Sequence, residues 1–373
     1  MVETQLARSP LETLNAMIMQ ENIPLAPFTT LQVGGPARYF AEARSEGEVR
    51  EAVEFAKSRS LPLFVLGGGS NLLIADSGWP GIVLRIAIDG LNSEVSGSSV
   101  LFRVGAGHEW DAFVAHAVAE NCAGVECLSG IPGSVGGTPV QNVGAYGQEV
   151  AGTIESVEVL DTEAGNKKEY PTLNLSNADC GFRYRSSIFN TMERGRYIIL
   201  RVNYRLRCGA SPNLRYADLQ KHFGKAQTEP SLSAVREAVR QIRRSKGMLL
   251  VDGDADSRSA GSFFKNPVLT KQQFNDLGLR AEARALRVPA YPALEAQHKI
   301  SAAWLVEHSG FSKGFHLGAA AISSKHALAL INTGAAQAHD IVELKEAIQQ
   351  GVRSEWGILL EPEPVLVGFQ LEA

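Results

Sequence analysis

The sequence predicts an α+β protein assembled from small α/β units. Strand and helix periodicities alternate from Pro27 to Arg85, strand patterns then surround a long glycine-dense passage, and a long helical stripe returns after Pro230. At about 150 residues per domain, 373 residues imply two or three domains, with enough chain to bury a core without metal or disulfide staples. Hydrophobic residues at 45% and charged residues at 20% exclude disorder, collagen and coiled coil.

The first 20 residues carry Leu11, Leu14, Met17 and Ile18 at helical spacing, which predicts an amphipathic helix. Ala37 to Ala41 reads as a strand. Ser45 to Ser58 reads as a helix with Val49, Ala52, Val53 and Ala56 on one stripe. Leu61 to Leu66 and Gly81 to Leu84 are short apolar strands. Leu101 to Val104 predicts a strand, Trp110 to Glu120 a helix, and Ile154 to Leu160 and Tyr197 to Leu206 further strands. Ser231 to Lys246 is a helix led by Pro230, with Leu232, Val235, Val239 and Ile242 on one face. An Asp/Gly/Ser linker (Asp252 to Ser259), helices at Ile300–His308 and Asp340–Trp356, and a strand at Leu359–Phe369 complete the chain.

The formal net charge of −4 argues against a nucleic-acid binder. The opening residues lack the apolar stretch of a signal peptide and no run of 18 apolar residues exists, so a cytoplasmic chain without membrane insertion is expected. Cys122, Cys127, Cys180 and Cys208 form no CxxC pair and the eight histidines no ligand pattern; no metal site is expected. Charge is uneven: Gly181 to Leu250 holds 15 basic and four acidic residues, a local +11. Such an excess can focus an anionic ligand, although a charge run by itself is a solvated face.

The chemistry is concentrated in two glycine loops. Gly67-Gly68-Gly69-Ser70-Asn71 follows a strand, where glycines let the backbone approach a ligand and turn N–H groups towards phosphate oxygens. Ile131-Pro132-Gly133-Ser134-Val135-Gly136-Gly137 runs on through Asn142, Gly144, Ala145 and Tyr146 to Gly147 with few charges. Such a segment suits a backbone wrapped around a large, flat, anionic cofactor. Neither loop is GxGxxG, so a Rossmann fold is not indicated.

Together with Tyr184-Arg185-Ser186-Ser187-Ile188-Phe189, Ala260-Gly261-Ser262-Phe263-Phe264-Lys265-Asn266-Pro267 and Leu360-Glu361-Pro362-Glu363, these loops resemble the UDP-N-acetylenolpyruvoylglucosamine reductase family in motif order, over roughly residues 25 to 369. The resemblance implies an FAD-binding fold of the vanillyl-alcohol-oxidase (PCMH) type. It places FAD-binding subdomains at 1–90, joined by the C-terminal strand 360–373, and at 91–228, with a substrate-binding domain at 229–359. It further implies an oxidoreductase of cytoplasmic peptidoglycan precursor synthesis, and a monomer is expected. The enzyme would reduce the enolpyruvyl ether of its UDP-sugar to UDP-N-acetylmuramate, with non-covalent FAD and NADPH as co-substrate.

That reaction builds negative charge beside a carboxylate, so the site needs cations and a proton donor. By resemblance Ser262 is the donor, Arg185 the catalytic arginine and Glu363 the catalytic glutamate. Tyr216, Arg243, Lys246, Asn266, Tyr291 and Lys299 match positions that contact UDP, diphosphate or substrate carboxylate. Tyr291, in Val288-Pro289-Ala290-Tyr291-Pro292, is similar to the tyrosine loop of one family subtype, read here as a lid. Gly247-Met248-Leu249-Leu250 departs from the Leu-Pro of many members. Two alternatives stay open at this point: an oxidase on the same scaffold, and a non-catalytic UDP-sugar binder. Neither glycine loop carries the His or Cys that tethers flavin in many oxidases.

Overall fold

The structure, a computed structural model, describes residues 17–164, 170–224, 228–292 and 297–369. The predicted N-terminal helix falls mostly outside them; Met17 and Ile18 are not helical. The first sheet contains β1 (Gln20–Pro24) and β2 (Pro36–Ala43). It is crossed by α1 (Glu46–Ser58), which buries Val49, Ala52, Val53 and Ala56 along the predicted stripe. Ser45 starts α1 through a capping box with Glu48, satisfying two otherwise orphaned N–H groups. β3 (Leu63–Leu66), β4 (Leu72–Ile74) and β5 (Trp79–Ile86) follow. The sheet order is β1-β2-β5-β3, with β2, β5 and β3 mutually parallel. The Gly67–Asn71 loop leaves the end of β3, the edge at which α/β units bind ligands.

The second sheet is antiparallel. β6 (Leu91–Ser96) and β7 (Ser99–Gly105) form a hairpin, α2 (Trp110–Ala119) follows, and β8 (Cys122–Ala123) leads into the second glycine loop. A small hairpin, β9 (Gly144–Ala145) and β10 (Gln148–Glu149), closes that loop. β11 (Ile154–Asp161), β12 (Thr172–Ser176) and the twelve-residue β13 (Tyr197–Cys208) complete the order β12-β11-β13-β7-β6, with β8 also on β13. One apolar cluster runs from α1 through Phe102, Trp110 and Phe113 to Tyr204, joining both sheets.

After α3 (Ala217–Phe223), α4 (Leu232–Ser245) buries Leu232, Val235, Ala238 and Val239, with Ser231 capping through Ala234 N–H. Its face packs with Cys127, Tyr146 and Leu219. The helix assigned by sequence to the substrate domain thus shares a core with the region before residue 228.

The segment 252–259 is not a loose linker. Asp254 and Asp256 receive Lys325 and Ser324, the Ser259 carbonyl accepts from Thr30 Oγ1 at 2.6 Å, and Ser257 and Ser259 are buried.

The remaining chain forms β14 (Val268–Leu269), α5 (Lys271–Glu282), β15 (Ala290–Pro292), β16 (His298–Ile300) and α6 (Ala302–Glu307). β17 (His316–Leu317), β18 (Ala320–Ile322), β19 (Leu330–Asn332), α7 (Ala338–Trp356) and β20 (Val365–Val367) end it. Their apolar residues form a second core that takes in Leu31, Val33 and Leu73.

Two predicted elements shrink. Ile300 belongs to β16 because Ser301 caps α6 through Trp304 N–H. The last strand is only β20, parallel to β4, because Pro362 and Pro364 cannot donate to a ladder. Among the described residues no helix is long and apolar enough to cross a membrane.

Candidate active site

Every side chain singled out in the sequence, except Asn142, lines one cleft of about 1650 Å³ between the two sheets and the C-terminal region. The glycine loops meet face to face in it. A Cβ on Gly68 would lie 2.4 Å from Gly133 Cα, so bare backbone is required there. Gly69 has φ +65° and packs on the Phe28 carbonyl. The second loop is pinned from behind: Gly136 N–H donates to Ala106 O at 2.8 Å and Val135 N–H to His108 O at 2.9 Å. Gly130 N–H donates to Asp111, whose carboxylate also takes Arg236 and Arg240 of α4. Burial opposes that charge, yet those partners hold Asp111 below the usual carboxylate range. Fully buried Glu126 accepts from Gly124 N–H, Asn213 N–H and Gln148 Nε2.

Asn142, expected among the cofactor-binding residues, is hydrogen-bonded inside the fold and does not line the cleft. It is 1% exposed, its Nδ2 donates to Glu149 and to the Arg183 carbonyl, and its Oδ1 accepts from Ala151 N–H. Both hydrogens of its side-chain amide are thereby used inside the fold.

Ser262, Arg185 and Glu363 come from distant parts of the chain and are gathered by main-chain pairing. Glu363 N–H donates to Phe263 O at 2.8 Å, and Lys265 N–H to Glu361 O at 2.9 Å, so the Ser262 motif runs beside the Glu363 motif. Asn71 Nδ2 donates to the Glu363 carbonyl at 3.3 Å and to Gln141, tying both glycine loops to this edge. Arg185 sits third in a tight turn closed between Arg183 and Ser186, with φ +54°. That left-handed position is costly for a residue with a Cβ and aims the side chain inward. Its Nη1 donates to Gly144 O at 3.0 Å and its Nε lies 3.0 Å from Glu363 Oε1. The buried Nε–H does not point along a hydrogen bond there, so the contact is an ion pair with a donor to spare. Burial pushes the Glu363 carboxyl above its ordinary range, against the pull of Arg185 and Lys265.

At the other end, Tyr146 and Tyr216 meet edge to face at 5.2 Å, and Lys246 Nζ lies over Tyr146 and 2.6 Å from Asp218. Burial opposes the Lys246 charge, but Asp218 and Tyr146 hold its pKa above the ordinary lysine value. Arg243 donates to the Gly130 and Met248 carbonyls; burial lowers its pKa. Asn266 Oδ1 caps α6 at Ala302 N–H, leaving its amide nitrogen for the cleft. Lys299 Nζ stands 3.9 Å over the Tyr184 ring, opposite Tyr291 on the neighbouring strand. Burial lowers its pKa. Tyr216 and Tyr291, 42% and 56% exposed, stand as flat apolar faces at the mouth. Residues 293–296, which continue the Tyr291 loop, lie outside the described residues.

The basic segment divides. Arg196, Arg201, Arg205, Arg236 and Arg240 pair with carboxylates elsewhere in the fold, whereas Arg185, Arg194, Arg215, Arg243 and Lys246 line the cleft.

Residues 253–367 match the model of the UDP-N-acetylenolpyruvoylglucosamine reductase C-terminal domain, and residues 37–166 match that of an FAD binding domain. The chain is 46% identical over 356 residues to the UDP-N-acetylenolpyruvoylglucosamine reductase of Thermobifida fusca, covering 94% of this chain and 98% of the relative. The chain belongs to the UDP-N-acetylenolpyruvoylglucosamine reductase family. Within that family it is also 44% identical to the Streptomyces coelicolor reductase, over 97% of this chain and 94% of that one. The crystal structure of the Thermus caldophilus reductase superposes with a TM-score of 0.62 at 26% identity, covering 94% of this chain and 99% of that chain. The anticipated fold class holds: an α+β oxidoreductase with an FAD-binding domain and a separate C-terminal family domain.

The residues present fit FAD. Ser134 Oγ is buried without a hydrogen-bond partner beside Gly67, and the facing glycines leave a cradle that any Cβ would fill.

Four lining residues escaped sequence reasoning. Gln141 and Lys265 lie within the motifs and line the same cleft. Asp218 and His326 carry no local signal. His326 Nδ1 accepts from Leu328 N–H at 3.0 Å, fixing the Nε2–H tautomer, and burial with Lys246 and Lys313 pushes its pKa down to about 4.

Proposed function

We propose that this protein reduces UDP-N-acetylenolpyruvoylglucosamine to UDP-N-acetylmuramate for peptidoglycan, as a cytoplasmic monomer using NADPH and non-covalent FAD. The observation that carries this reading is the meeting of Ser262, Arg185 and Glu363 at one edge of a glycine-walled cleft. When bound, FAD supplies two-electron transfer between nicotinamide and the enolpyruvyl double bond. Gly67–Asn71 and Ile131–Gly137 would hold its diphosphate and ring system through main-chain N–H groups and Ser134 Oγ.

The protein's own side chains do the rest. Ser262 Oγ delivers a proton to the carbon bearing the substrate carboxylate. A hydroxyl is a weak acid, so the Arg185 guanidinium and the Lys299 ammonium must stabilise the charge that develops there. Glu363 orients Arg185 through the ion pair between them. Lys246, Arg243 and Asn266 suit a diphosphate, and Tyr216 or Tyr291 suits stacking on uracil, with Tyr291 at the lid. This division of labour accords with FAD-holding subdomains at 1–90 and 91–228 and a substrate domain at 229–359, although α4 packs on the second subdomain.

The test is an absorbance spectrum of purified protein. NADPH should bleach the flavin, and adding the enolpyruvyl UDP-sugar should restore the colour. Denaturation should release free FAD. Ser262→Ala should still bleach with NADPH yet recolour about 10²-fold more slowly. A colourless protein that cannot take up FAD, or a Ser262→Ala protein that recolours at the normal rate, would refute the reading.

A further inference from the structure

The flavin site uses none of the four cysteines, but two of them stand together. Cys122 on β8 and Cys208 at the end of β13 are direct cross-strand partners, with their sulfurs 2.7 Å apart and both thiols free. The pair is of the non-hydrogen-bonded kind with respect to its own ladder. Cys208 N–H turns away to Ser98 O, while the adjacent Gly209 N–H donates to Asn121 O. Partners of that kind have Cα atoms about 4.5 Å apart, at the short end of the range of about 4.4 to 6.8 Å that a disulfide spans. The other two cysteines stand apart from this pair: Cys127 Sγ donates to the Asn213 carbonyl, and Cys180 is buried as a free thiol.

We propose that Cys122 and Cys208 form a reversible cross-strand disulfide that clamps the entrance to the second glycine loop. β8 is only two residues long and runs directly into Gly124 and the loop from Gly130 to Gly137, so its ladder to β13 is a weak point beneath the cofactor cradle. A covalent link between residues 86 apart in sequence would hold that strand in place.

Cys208, half-buried, is the sulfur an oxidant reaches first, whereas burial and the neighbouring sulfur hold the Cys122 thiol well above its ordinary pKa and keep it protonated. With a hydroperoxide as oxidant, the Cys208 thiolate attacks one peroxide oxygen. The S–O bond forms, the O–O bond breaks, Cys208 becomes a sulfenic acid, and the other peroxide oxygen leaves as hydroxide or alkoxide that takes up the thiol's proton as water or an alcohol. Cys122 sulfur then displaces hydroxide from Cys208 sulfur, and its proton leaves with that hydroxide as water. The peroxide accepts two electrons and the thiol pair loses them; a dithiol reductant reverses the change.

The experiment treats flavin-loaded protein with hydrogen peroxide and counts thiols after denaturation. Titratable thiols should fall from four to two, a peptide joining residues 122 and 208 should appear, and dithiothreitol should restore all four. The oxidised protein should melt a few °C higher than the reduced protein. Cys208→Ser should keep its three thiols under the same treatment. Cys122→Ala should leave Cys208 to proceed to sulfinic acid instead of a disulfide. Four thiols surviving the peroxide, a link through Cys127 or Cys180, or loss of two thiols from Cys208→Ser would overturn the proposal. A 122–208 disulfide that leaves the melting temperature unchanged would overturn the clamp.

Discussion

Arg185 concentrates several constraints in one side chain. Its left-handed backbone, its ion pair with Glu363 and its bond to the Gly144 carbonyl must all be met together. A lysine can reach Glu363 or Gly144 but cannot fork between them, and one charged hydrogen bond contributes about 1.5–3 kcal/mol. Arg185→Lys should therefore lower kcat by about 10- to 100-fold while flavin content stays normal, as steady-state rates and the absorbance ratio will show. His326 predicts a pH dependence. Its folded pKa, about 4, lies below the ordinary 6.5, so the unfolded chain binds the extra proton between those values. Stability from this residue is present above pH 6.5 and lost as pH falls towards 4, by about 3 kcal/mol in all. His326→Gln should flatten the acid side of a denaturation-midpoint against pH curve; an unaltered slope over that window would contradict this assignment.

The glycine loops act as elements. Gly68 and Gly133 approach so closely that an alanine at 68 would press its methyl into main chain at 2.4 Å, not into a yielding side chain. Gly68→Ala should part the loops, costing about 1–3 kcal/mol, and empty the cleft of flavin. Flavin absorbance per mole of protein after gel filtration measures this, and full occupancy would show that the contact can relax. The same element view explains the Gly/Asp/Ser segment 252–259. Its composition reads as a linker, but Thr30, Ser324 and Lys325, all remote in sequence, supply the hydrogen bonds that fix it.

At the scale of the molecule, the cleft is walled by both sheets and by the C-terminal region, so a ligand filling it couples all three. FAD added to flavin-free protein should raise the melting temperature with concentration, with a stabilisation of about 2.7 kcal/mol at one hundred times Kd. A melting temperature independent of FAD would mean that the cleft binds no flavin in the folded state. The assembly also accounts for the uneven charge. Five of the basic residues neutralise carboxylates such as Glu155, Glu158 and Asp161 on β11, and five others face the cleft.

Local physics made much of this legible in advance. The α1 and α4 stripes, the Ser45 and Ser231 caps and the apolar strands β2, β3, β5 and β13 are decided within a few residues of each position. The glycine loops declared a backbone-walled site because only missing side chains permit such contact. The roles proposed for Ser262, Arg185 and Glu363 rest on motif resemblance, since a lone serine, arginine or glutamate signals nothing by spacing. Tertiary structure alone decided the rest. Asn142 turned inward because three internal partners consume its amide, and Asp218 and His326 entered the cleft through folding of distant segments. β1, β14 and β20 are short strands that exist because a neighbour pairs with them. Periodicity reports which face of an element is buried, but it does not encode which remote group will meet it there; long-range hydrogen bonds and ion pairs do, and they form only when the chain is assembled.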